Sequence, residues 1–320
     1  MELQEALKKY SIEIPSDEVF YSDEYQRYFN GEDKENTQME KYKDFDQMYK
    51  KSFLVTFSGG EKESKKNTQR KAIVLGGQTG AGKSGLVNMI FREARKASQG
   101  IFLIDDDQFR KFYPRYEEIM AECPEYSTIL TAIGSGPVTP KIMKYASDNG
   151  LNFIFDGTMK NPRILETAKK WKDYDVSYKV MATSRIESLI SIFERNAYLR
   201  QNGFGRPISV KVHDETYNGI EDTIRKLERE QQNADIEIYI RGTDADRIPK
   251  LIYSPKQKGM YRSATEALIE GRQRDRKRVL STDIAERIES LEAAVRVLND
   301  TEKEELRELK QSVRDEIREF

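Results

Sequence analysis

The sequence predicts an α/β protein in which a mainly parallel sheet is flanked by helices, with helical extensions at both ends of the chain. Short β-branched runs alternate with helical stretches from about residue 71 to residue 262. The segments on either side, 1–70 and 263–320, are highly charged and lack this alternation. The chain has 320 residues, 37% hydrophobic and 34% charged, so it can bury a core but is unusually polar. We therefore expect an N-terminal extension, a core and C-terminal amphipathic helices with these boundaries.

Within the core, the elements follow one another in a regular order. Apolar runs predict strands at residues 72–75, 101–105, 151–155, 176–182 and 236–242. The stretches between them predict helices at residues 84–97, 162–170 and 186–199, with further helices between 105 and 151. A helix between two strands returns the chain to the same edge of the sheet, so these strands are expected to be parallel.

The two extensions differ in character. The first is acidic and rich in Tyr and Phe, which predicts short helices packed on another surface, and the polar, Lys-rich stretch 58–70 predicts its boundary. In the second, apolar residues recur at alternating spacings of four and three, at Ile284, Ile288, Leu291, Val295 and Leu298. This pattern predicts an amphipathic helix pair that either packs on the core or forms a short coiled coil between copies.

The composition excludes several classes of function. Cys123 and His213 are the only residues of their types, too few within one chain for a disulfide framework, a zinc site or a Cys–His nucleophile pair. A formal net charge of −1 gives no overall attraction to nucleic acid or to anionic membranes. The sequence shows neither a membrane helix nor a signal peptide, so we expect a cytoplasmic protein without membrane or nucleic-acid partners.

The most specific motif lies between the first predicted strand and the helix that follows it, and it consists of Gly77, Gln78, Thr79, Gly80, Ala81, Gly82, Lys83 and Ser84. Such a glycine-rich turn lets several backbone N–H groups point at one phosphate, and the positive end of the helix dipole adds to their effect. Lys83 is expected to reach the β- and γ-phosphates, and the Ser84 hydroxyl to bind Mg²⁺. The sequence therefore predicts a P-loop fold that binds ATP or GTP.

Three aspartates, Asp105, Asp106 and Asp107, follow the second predicted strand, 22 residues after Lys83. Ligands gather at the carboxyl ends of the strands in such sheets, so an acid here can hold Mg²⁺ or accept a proton from a substrate. An acid on the strand directly after the phosphate loop is typical of small-molecule kinases, where it faces the acceptor hydroxyl. Alternation along a strand places Asp105 and Asp107 on one side and Asp106 on the other.

Further candidates follow later in the chain. Thr158 comes after the third strand, where its hydroxyl could contact an acceptor. Arg195 lies on a predicted helix and Arg206 follows a glycine-rich hinge, which suits a lid that neutralises charge on the transferred phosphoryl group.

Five blocks in order, "VLGGQTGAGKS", "LIDDDQFRKFYP", "IFDGTMK", "VMATSRIESLISIFERNAY" and "GRPISVKVHDETY", resemble the zeta toxin family. The resemblance covers about residues 71–262. It implies a P-loop kinase of a bacterial toxin–antitoxin system that phosphorylates the 3′-hydroxyl of UDP-N-acetylglucosamine on its amino sugar. It also implies restraint by a small helical antitoxin.

The resemblance assigns roles to individual residues. The catalytic base falls on Asp107 with Asp105 as its partner, and the charge-stabilising arginines fall on Arg195 and Arg206. Threonines that bind the acceptor fall on Thr158 and Thr167, and His213 falls on a His–Asp pair in which we expect a structural hydrogen bond.

One position departs from the family pattern. The family's acceptor-binding glutamate falls on Pro140, and no acid follows until Asp148. A kinase of another nucleotide metabolite such as NAD, and a P-loop switch that hydrolyses nucleotide slowly, therefore stay open, whereas the near-zero charge disfavours a polynucleotide 5′-kinase.

The family pattern does not extend to residues 1–70. One hypothesis is that this segment inhibits the kinase in place of an antitoxin, through anchors such as Tyr21, Tyr25, Tyr28 and Phe29. The alternatives are an extension that binds a partner and one without a role of its own.

Overall fold

The computed structural model describes residues 1–33, 36–58, 70–201, 209–242, 248–257, 259–282, 284–293 and 298–319. The strands are β1 (Arg70–Gly76), β2 (Phe102–Asp105), β3 (Phe153–Asp156), β4 (Tyr174–Met181), β5 (Asp235–Ile240) and β6 (Lys250–Tyr253). The helices are α1 (Leu3–Tyr10), α2 (Asp17–Phe20), α3 (Asp23–Phe29), α4 (Lys43–Phe57), α5 (Lys83–Lys96), α6 (Asp106–Phe109), α7 (Tyr116–Glu122), α8 (Ser127–Asp148), α9 (Arg163–Ala168), α10 (Arg185–Gln201), α11 (Val210–Glu230), α12 (Ala264–Leu280), α13 (Ile284–Ala293) and α14 (Asp300–Glu319). Short 3₁₀ turns lie at Glu40–Tyr42, Arg110–Phe112 and Pro124–Tyr126.

The chain divides into two units. The helical unit consists of Met1–Lys65 and Phe102–Leu151, and the sheet unit consists of Lys66–Ile101 and Asn152–Phe320. The boundaries expected from the sequence, at residues 70 and 262, do not coincide with these units. Instead, the N-terminal extension belongs to the same unit as the segment that carries the three aspartates, and the C-terminal helices belong to the sheet unit.

In the sheet unit, the strands pair in the order β3-β1-β4-β5-β6. The pairs β1–β3, β1–β4 and β4–β5 are parallel, and β6 runs antiparallel to β5. β1 is buried without interruption from Ala72 to Gly76, as expected for a central parallel strand that helices cover on both faces, whereas β4 is buried mainly at its carboxyl end, at Tyr178, Val180 and Met181. The prediction of a mainly parallel sheet flanked by helices is therefore confirmed. The short antiparallel strand β6 was not predicted.

The C-terminal helices pack on the sheet unit. α10 contributes Ile186, Leu189, Ile190, Ile192 and Phe193 to a buried apolar cluster. The other members of the cluster come from α12–α14 and the residues that join them: Val279, Leu280, Ile284, Ile288, Leu291, Leu298, Leu306, Leu309 and Val313. The heptad-like spacing of this segment thus serves packing on the core, and Val295 lies outside the described residues.

An aromatic cluster organises the N-terminal part of the helical unit. Phe20 contacts the rings of Tyr25, Phe29, Phe45 and Tyr49 at centroid distances of 5.1–6.4 Å. Tyr25 is completely buried, and its hydroxyl donates to the buried carboxylate of Asp46. These aromatic residues of the N-terminal extension therefore form part of the core of the helical unit.

The longest helix of the helical unit, α8, contains two interior prolines, Pro137 and Pro140. Its Thr139 hydroxyl donates to Asp106 at 2.9 Å, and its Lys141 forms an ion pair with Asp17 of α2. α8 thus holds both the aspartate segment and the N-terminal extension. Over the whole described part of the chain, no helix is long and apolar enough to cross a membrane.

Candidate active site

The glycine-rich loop, residues 77–82, connects β1 to α5 in the sheet unit. Gly80 has φ +78°, and a Cβ atom at this position would lie 2.1 Å from the carbonyl oxygen of Ser188. Gly82 has φ +93° and forms the N-cap of α5. Because L side chains rarely adopt such backbone angles, the loop can take this path only with glycine at these positions. It therefore ends at the positive pole of α5, as expected of a phosphate-binding loop.

The two polar residues after the loop occupy the first turn of α5. Lys83 Nζ donates to the Gly77 carbonyl at 3.0 Å, so its side chain folds back over the loop. Ser84 is exposed at the same helix end. Both side chains thus lie where a phosphate bound by the loop N–H groups would meet them.

The Gln78 side chain is completely buried and anchors the loop instead of facing a ligand. Its Nε2 atom donates to the Thr183 carbonyl at 2.9 Å and to the Ser188 hydroxyl at 3.1 Å. Since Ser188 belongs to α10, the loop is tied to the first turns of that helix.

His213 continues this chain of hydrogen bonds. Its Nε2 atom lies 2.8 Å from the Ser188 hydroxyl, and its Nδ1 atom lies 2.9 Å from Asp214 Oδ1. Asp214 in turn accepts two hydrogen bonds from Arg185, at 2.8 and 2.9 Å. Burial lowers the pKa of His213 below its ordinary value of 6.5, although the hydrogen bond to Asp214 opposes this shift. The neutral ring therefore accepts from Ser188 and donates to Asp214, which is the structural role expected for it.

Arg241 also contacts the loop, and the sequence analysis missed it. It follows β5, and its guanidinium donates to the Gly80 carbonyl and, at 3.3 Å, to the Ala81 carbonyl. About 160 residues separate it from the loop. No local pattern could have singled it out, because an arginine after a strand is common in sequences.

The remaining candidates of the sheet unit take different positions. Thr158 reaches the loop, since its carbonyl accepts from Gly77 N–H at 3.1 Å. The Thr167 hydroxyl donates to the Arg163 carbonyl of its own helix at 3.4 Å. Arg195 lies on the exposed face of α10, and Arg206 lies outside the described residues.

The three aspartates belong to the helical unit, where β2 ends at Asp105 and α6 begins at Asp106. The alternation expected of a strand therefore stops at Asp105. The Asp105 carboxylate caps α6 by accepting from the N–H groups of Asp107 and Gln108, at 3.0 and 3.3 Å.

The other two aspartates share one partner, Arg110. This guanidinium contacts Asp106 Oδ2 at 3.2 Å and Asp107 Oδ1 at 2.9 Å. It also donates to the Thr128 carbonyl at 2.6 Å. The spacing of three and four residues between the aspartates and Arg110 places them on one helical face, a pattern that the sequence analysis overlooked.

The donor groups decide how Mg²⁺ could bind. Among the described residues, no group of three or more His, Cys, Asp or Glu side chains could hold a metal ion. The exposed Ser84 hydroxyl lies at the end of the glycine-rich loop. This donor suits a Mg²⁺ ion that is bound mainly by the nucleotide phosphates and needs only one or two ligands from the protein.

A parallel sheet whose first strand runs into a glycine-rich loop, a lysine and a helix N-terminus defines a kinase-like nucleotide-binding fold. Residues 58–258 match the family model of the zeta toxin. The chain therefore belongs to the zeta toxin family, as its sequence blocks predicted.

Individual relatives agree with this assignment. The chain is 32% identical over 194 residues to toxin PezT of Streptococcus pneumoniae, covering 59% of this chain and 74% of PezT. A structure of the PezAT toxin–antitoxin system of that organism matches with a TM-score of 0.60 at 24% identity, over 78% of this chain and 96% of the other. A structure of AvrRxo1-ORF1:-ORF2 with ATP matches with a TM-score of 0.54 at 13% identity, over 97% and 94%. Both structural matches are matches of fold.

Gly80→Ala should collapse the loop. The new methyl group would collide with the Ser188 carbonyl at a backbone angle unfavourable to alanine, so we expect a loss of about 2 kcal/mol or more in the free energy of unfolding. Nucleotide binding should be lost as well. Gly136→Ala is the matched control, because a Cβ there meets nothing within 4 Å and alanine favours helix. Urea unfolding and ATP titration of both variants check this prediction, and wild-type behaviour of Gly80→Ala contradicts it.

Stability should fall as the pH is lowered through 6.5, partly because of His213. Its pKa is lower in the folded chain, so the unfolded chain binds the proton first and protonation favours unfolding. Urea unfolding between pH 5 and 8 should show a shallower slope in His213→Gln than in the wild type. As this is the only histidine, one imidazole NMR signal reports its pKa directly, and a value above 6.5 would refute the assignment.

Proposed function

We propose that this chain is an ATP-dependent kinase that transfers the γ-phosphoryl group to a hydroxyl of a nucleotide sugar, UDP-N-acetylglucosamine, and thereby acts as a toxin. The observation that carries the proposal is the glycine-rich loop with Lys83 at the N-terminus of α5, in a chain of the zeta toxin family. Loop N–H groups and Lys83 would bind the phosphates, and Ser84 would hold Mg²⁺, which neutralises phosphate charge when bound.

Asp107 is proposed as the general base that accepts the proton of the acceptor hydroxyl. Its carboxylate is half-exposed, with one oxygen 2.9 Å from the Arg110 Nε atom. Asp105, whose carboxylate caps α6 at the Asp107 N–H, would act by positioning this base.

The other roles follow the family pattern. Arg195 and Arg206 are proposed to neutralise the charge that develops on the transferred phosphoryl group. Thr158 and Thr167 are proposed to contact the acceptor. For Thr158, the proposal is supported by the hydrogen bond between its carbonyl and the Gly77 N–H.

NAD is the second candidate acceptor, and it is kept because one position departs from the family pattern for the nucleotide sugar. Pro140, at the position of the family's acceptor-binding glutamate, lies inside α8 and offers no carboxylate. Asp148, the next acid along α8, forms an ion pair with Lys144. An acceptor pocket that lacks this carboxylate would contact its sugar differently, so the acceptor could be another nucleotide with a free ribose hydroxyl.

A partner that restrains the kinase is part of the proposal. The PezAT structure is that of a toxin–antitoxin system, which supports an antitoxin supplied as a separate chain. Inhibition by residues 1–70 is the alternative. Tyr25 is buried in its own unit, so an inhibitory contact would have to use exposed residues such as Tyr21.

Incubation with ATP, Mg²⁺ and UDP-N-acetylglucosamine should give an acceptor that gains the mass of one phosphate. NAD in a parallel reaction tests the second candidate, and a 3-deoxy analogue of the sugar tests the position of transfer. Lys83→Ala should abolish the product, because the ammonium that binds the β- and γ-phosphates is lost. ATP hydrolysis that neither acceptor accelerates would refute the kinase proposal and favour a regulatory switch.

Asp107→Asn should bind ATP with Mg²⁺ as the wild type does but lose about 10²- to 10⁴-fold in the rate of transfer, since an amide cannot accept the proton. Asp148→Asn is a matched control, because both carboxylates are 56% exposed and each forms an ion pair with a basic side chain. Single-turnover transfer and ATP titration separate the two effects. Weakened Mg²⁺–ATP binding in Asp107→Asn would make this residue a metal ligand instead.

A further inference from the structure

A cluster of charged side chains in the sheet unit contacts the carbonyl groups of the glycine-rich loop. Arg241 donates to the carbonyls of Gly80 and Ala81 and to the Ser191 hydroxyl, the last at 3.1 Å. The same guanidinium forms an ion pair with Glu187 of α10. Glu187 is only 3% exposed, so Arg241 joins the loop to a buried carboxylate.

These contacts fix how the loop presents its N–H groups. The C=O and N–H groups of a trans peptide point in opposite directions, so a donor that holds the Ala81 carbonyl also orients the N–H group of Gly82. The Thr183 hydroxyl donates to the same carbonyl at 2.8 Å. Holding the carbonyls on one side of the loop thus prepares donors on the other, where a phosphate would bind.

Glu187 is shared among three arginines. Arg287 donates to Glu187 Oε2 at 2.7 Å, and Arg278 lies 3.7 Å from the same oxygen. Burial by itself would raise the pKa of Glu187, but the hydrogen bond from Arg287 and the charges of Arg241 and Arg278 outweigh it, and the pKa lies below its ordinary value. The carboxylate therefore stays ionised and can hold Arg241 in place.

The outer arginines are themselves fixed by acids. Arg287 makes two hydrogen bonds to Glu194, at 2.7 and 2.8 Å, and Arg278 donates to Asp275 at 2.8 Å. Asp275 also accepts from the Ser184 N–H at 2.8 Å, next to the start of α10. Three guanidiniums thus meet three carboxylates, which balances the charge around the two buried acids, Glu187 and Asp275.

The two outer arginines come from the C-terminal helices. Arg278 lies on α12 and Arg287 on α13, both beyond residue 258, where the match to the family model ends. A segment outside the family region thus reaches the phosphate loop through two side chains, Glu187 and Arg241.

We propose that Arg241 is a positioning residue that holds the phosphate loop in its binding conformation, and that α13 controls it through Arg287 and Glu187. The effect on the loop conformation does not depend on a ligand, whereas the effect on ATP binding rests on the proposed function. Loss of either arginine should loosen the loop and weaken ATP binding while leaving the sheet intact.

The test compares Arg241→Lys and Arg287→Met with the wild type in hydrogen–deuterium exchange, without nucleotide. The amides of Gly77 and Ala81, which donate to the Thr158 and Gln78 carbonyls, should exchange roughly tenfold faster, equivalent to about 1.4 kcal/mol. Arg241→Lys removes the guanidinium that fixes the loop carbonyls, and Arg287→Met removes the partner that holds Glu187 against Arg241. Amides of β4, which a global loss of stability would also expose, should keep their rates. Arg276→Met is the control, since Arg276 lies on α12 but pairs with Glu316.

ATP titration of the same variants should show about tenfold weaker binding in both. Arg287→Lys should recover only part of the loss, because it restores a cation beside Glu187 but not the paired hydrogen bonds to Glu187 and Glu194. Unchanged loop exchange in Arg241→Lys and Arg287→Met, or equal acceleration in the loop and in β4, would overturn the proposal. If the methionine variant does not fold, Arg241→Lys tests the contact with the loop and Arg287→Lys tests the link from α13, because both substitutions keep the charge balance. The exchange measurement tests the role of Arg241 and Arg287 in the loop even if the chain proves not to be a kinase.

Discussion

A loop that turns its N–H groups toward a phosphate must turn carbonyl groups away from it, and each buried carbonyl then needs a donor of its own. The rest of the sheet unit is arranged around this constraint. The loop carbonyls receive donors from the loop itself, from α5 and from segments much later in the chain. These pairs are Gly77 with Lys83, Gln78 with Ala81, Gly80 with Arg241, Ala81 with Thr183 and Arg241, and Gly82 with Gly85. The glycines give the loop its path, but the donors keep it there.

The difference between the glycines of the loop and the distant donors explains how much of the site could be predicted from the sequence. Glycine spacing, Lys83 and a strand before the loop are local, so the loop and the parallel sheet could be predicted. The partners of Gln78 and of Gly80 are not local, because Ser188 lies 110 residues from Gln78 and Arg241 lies 161 residues from Gly80. Single-sequence patterns report spacing along one element, and they are silent on contacts that the packing of several elements creates.

The same reasoning applies to what was missed in the helical unit and at the sheet edge. A strand pattern was extended through the three aspartates, but Asp105 caps a short helix and ends the alternation. Helices were expected between residues 105 and 151 without individual bounds, and residues 127–148 form one helix in spite of Pro137 and Pro140. In that helix the Thr131 hydroxyl donates to the Ser127 carbonyl one turn back. Strand β6 has only four residues, too few for a periodic pattern to stand out.

The apolar cluster between α10 and the C-terminal helices has a practical consequence for anyone who works with this family. A fragment trimmed at residue 258, where the family match ends, would remove α12–α14 and expose the side of α10 that carries Leu189 and Ile190. It would also leave Glu187 beside Arg241 without the two outer guanidiniums. Such a fragment would aggregate through its uncovered apolar face, so the evolutionary boundary of the family is not a boundary at which this chain can be cut.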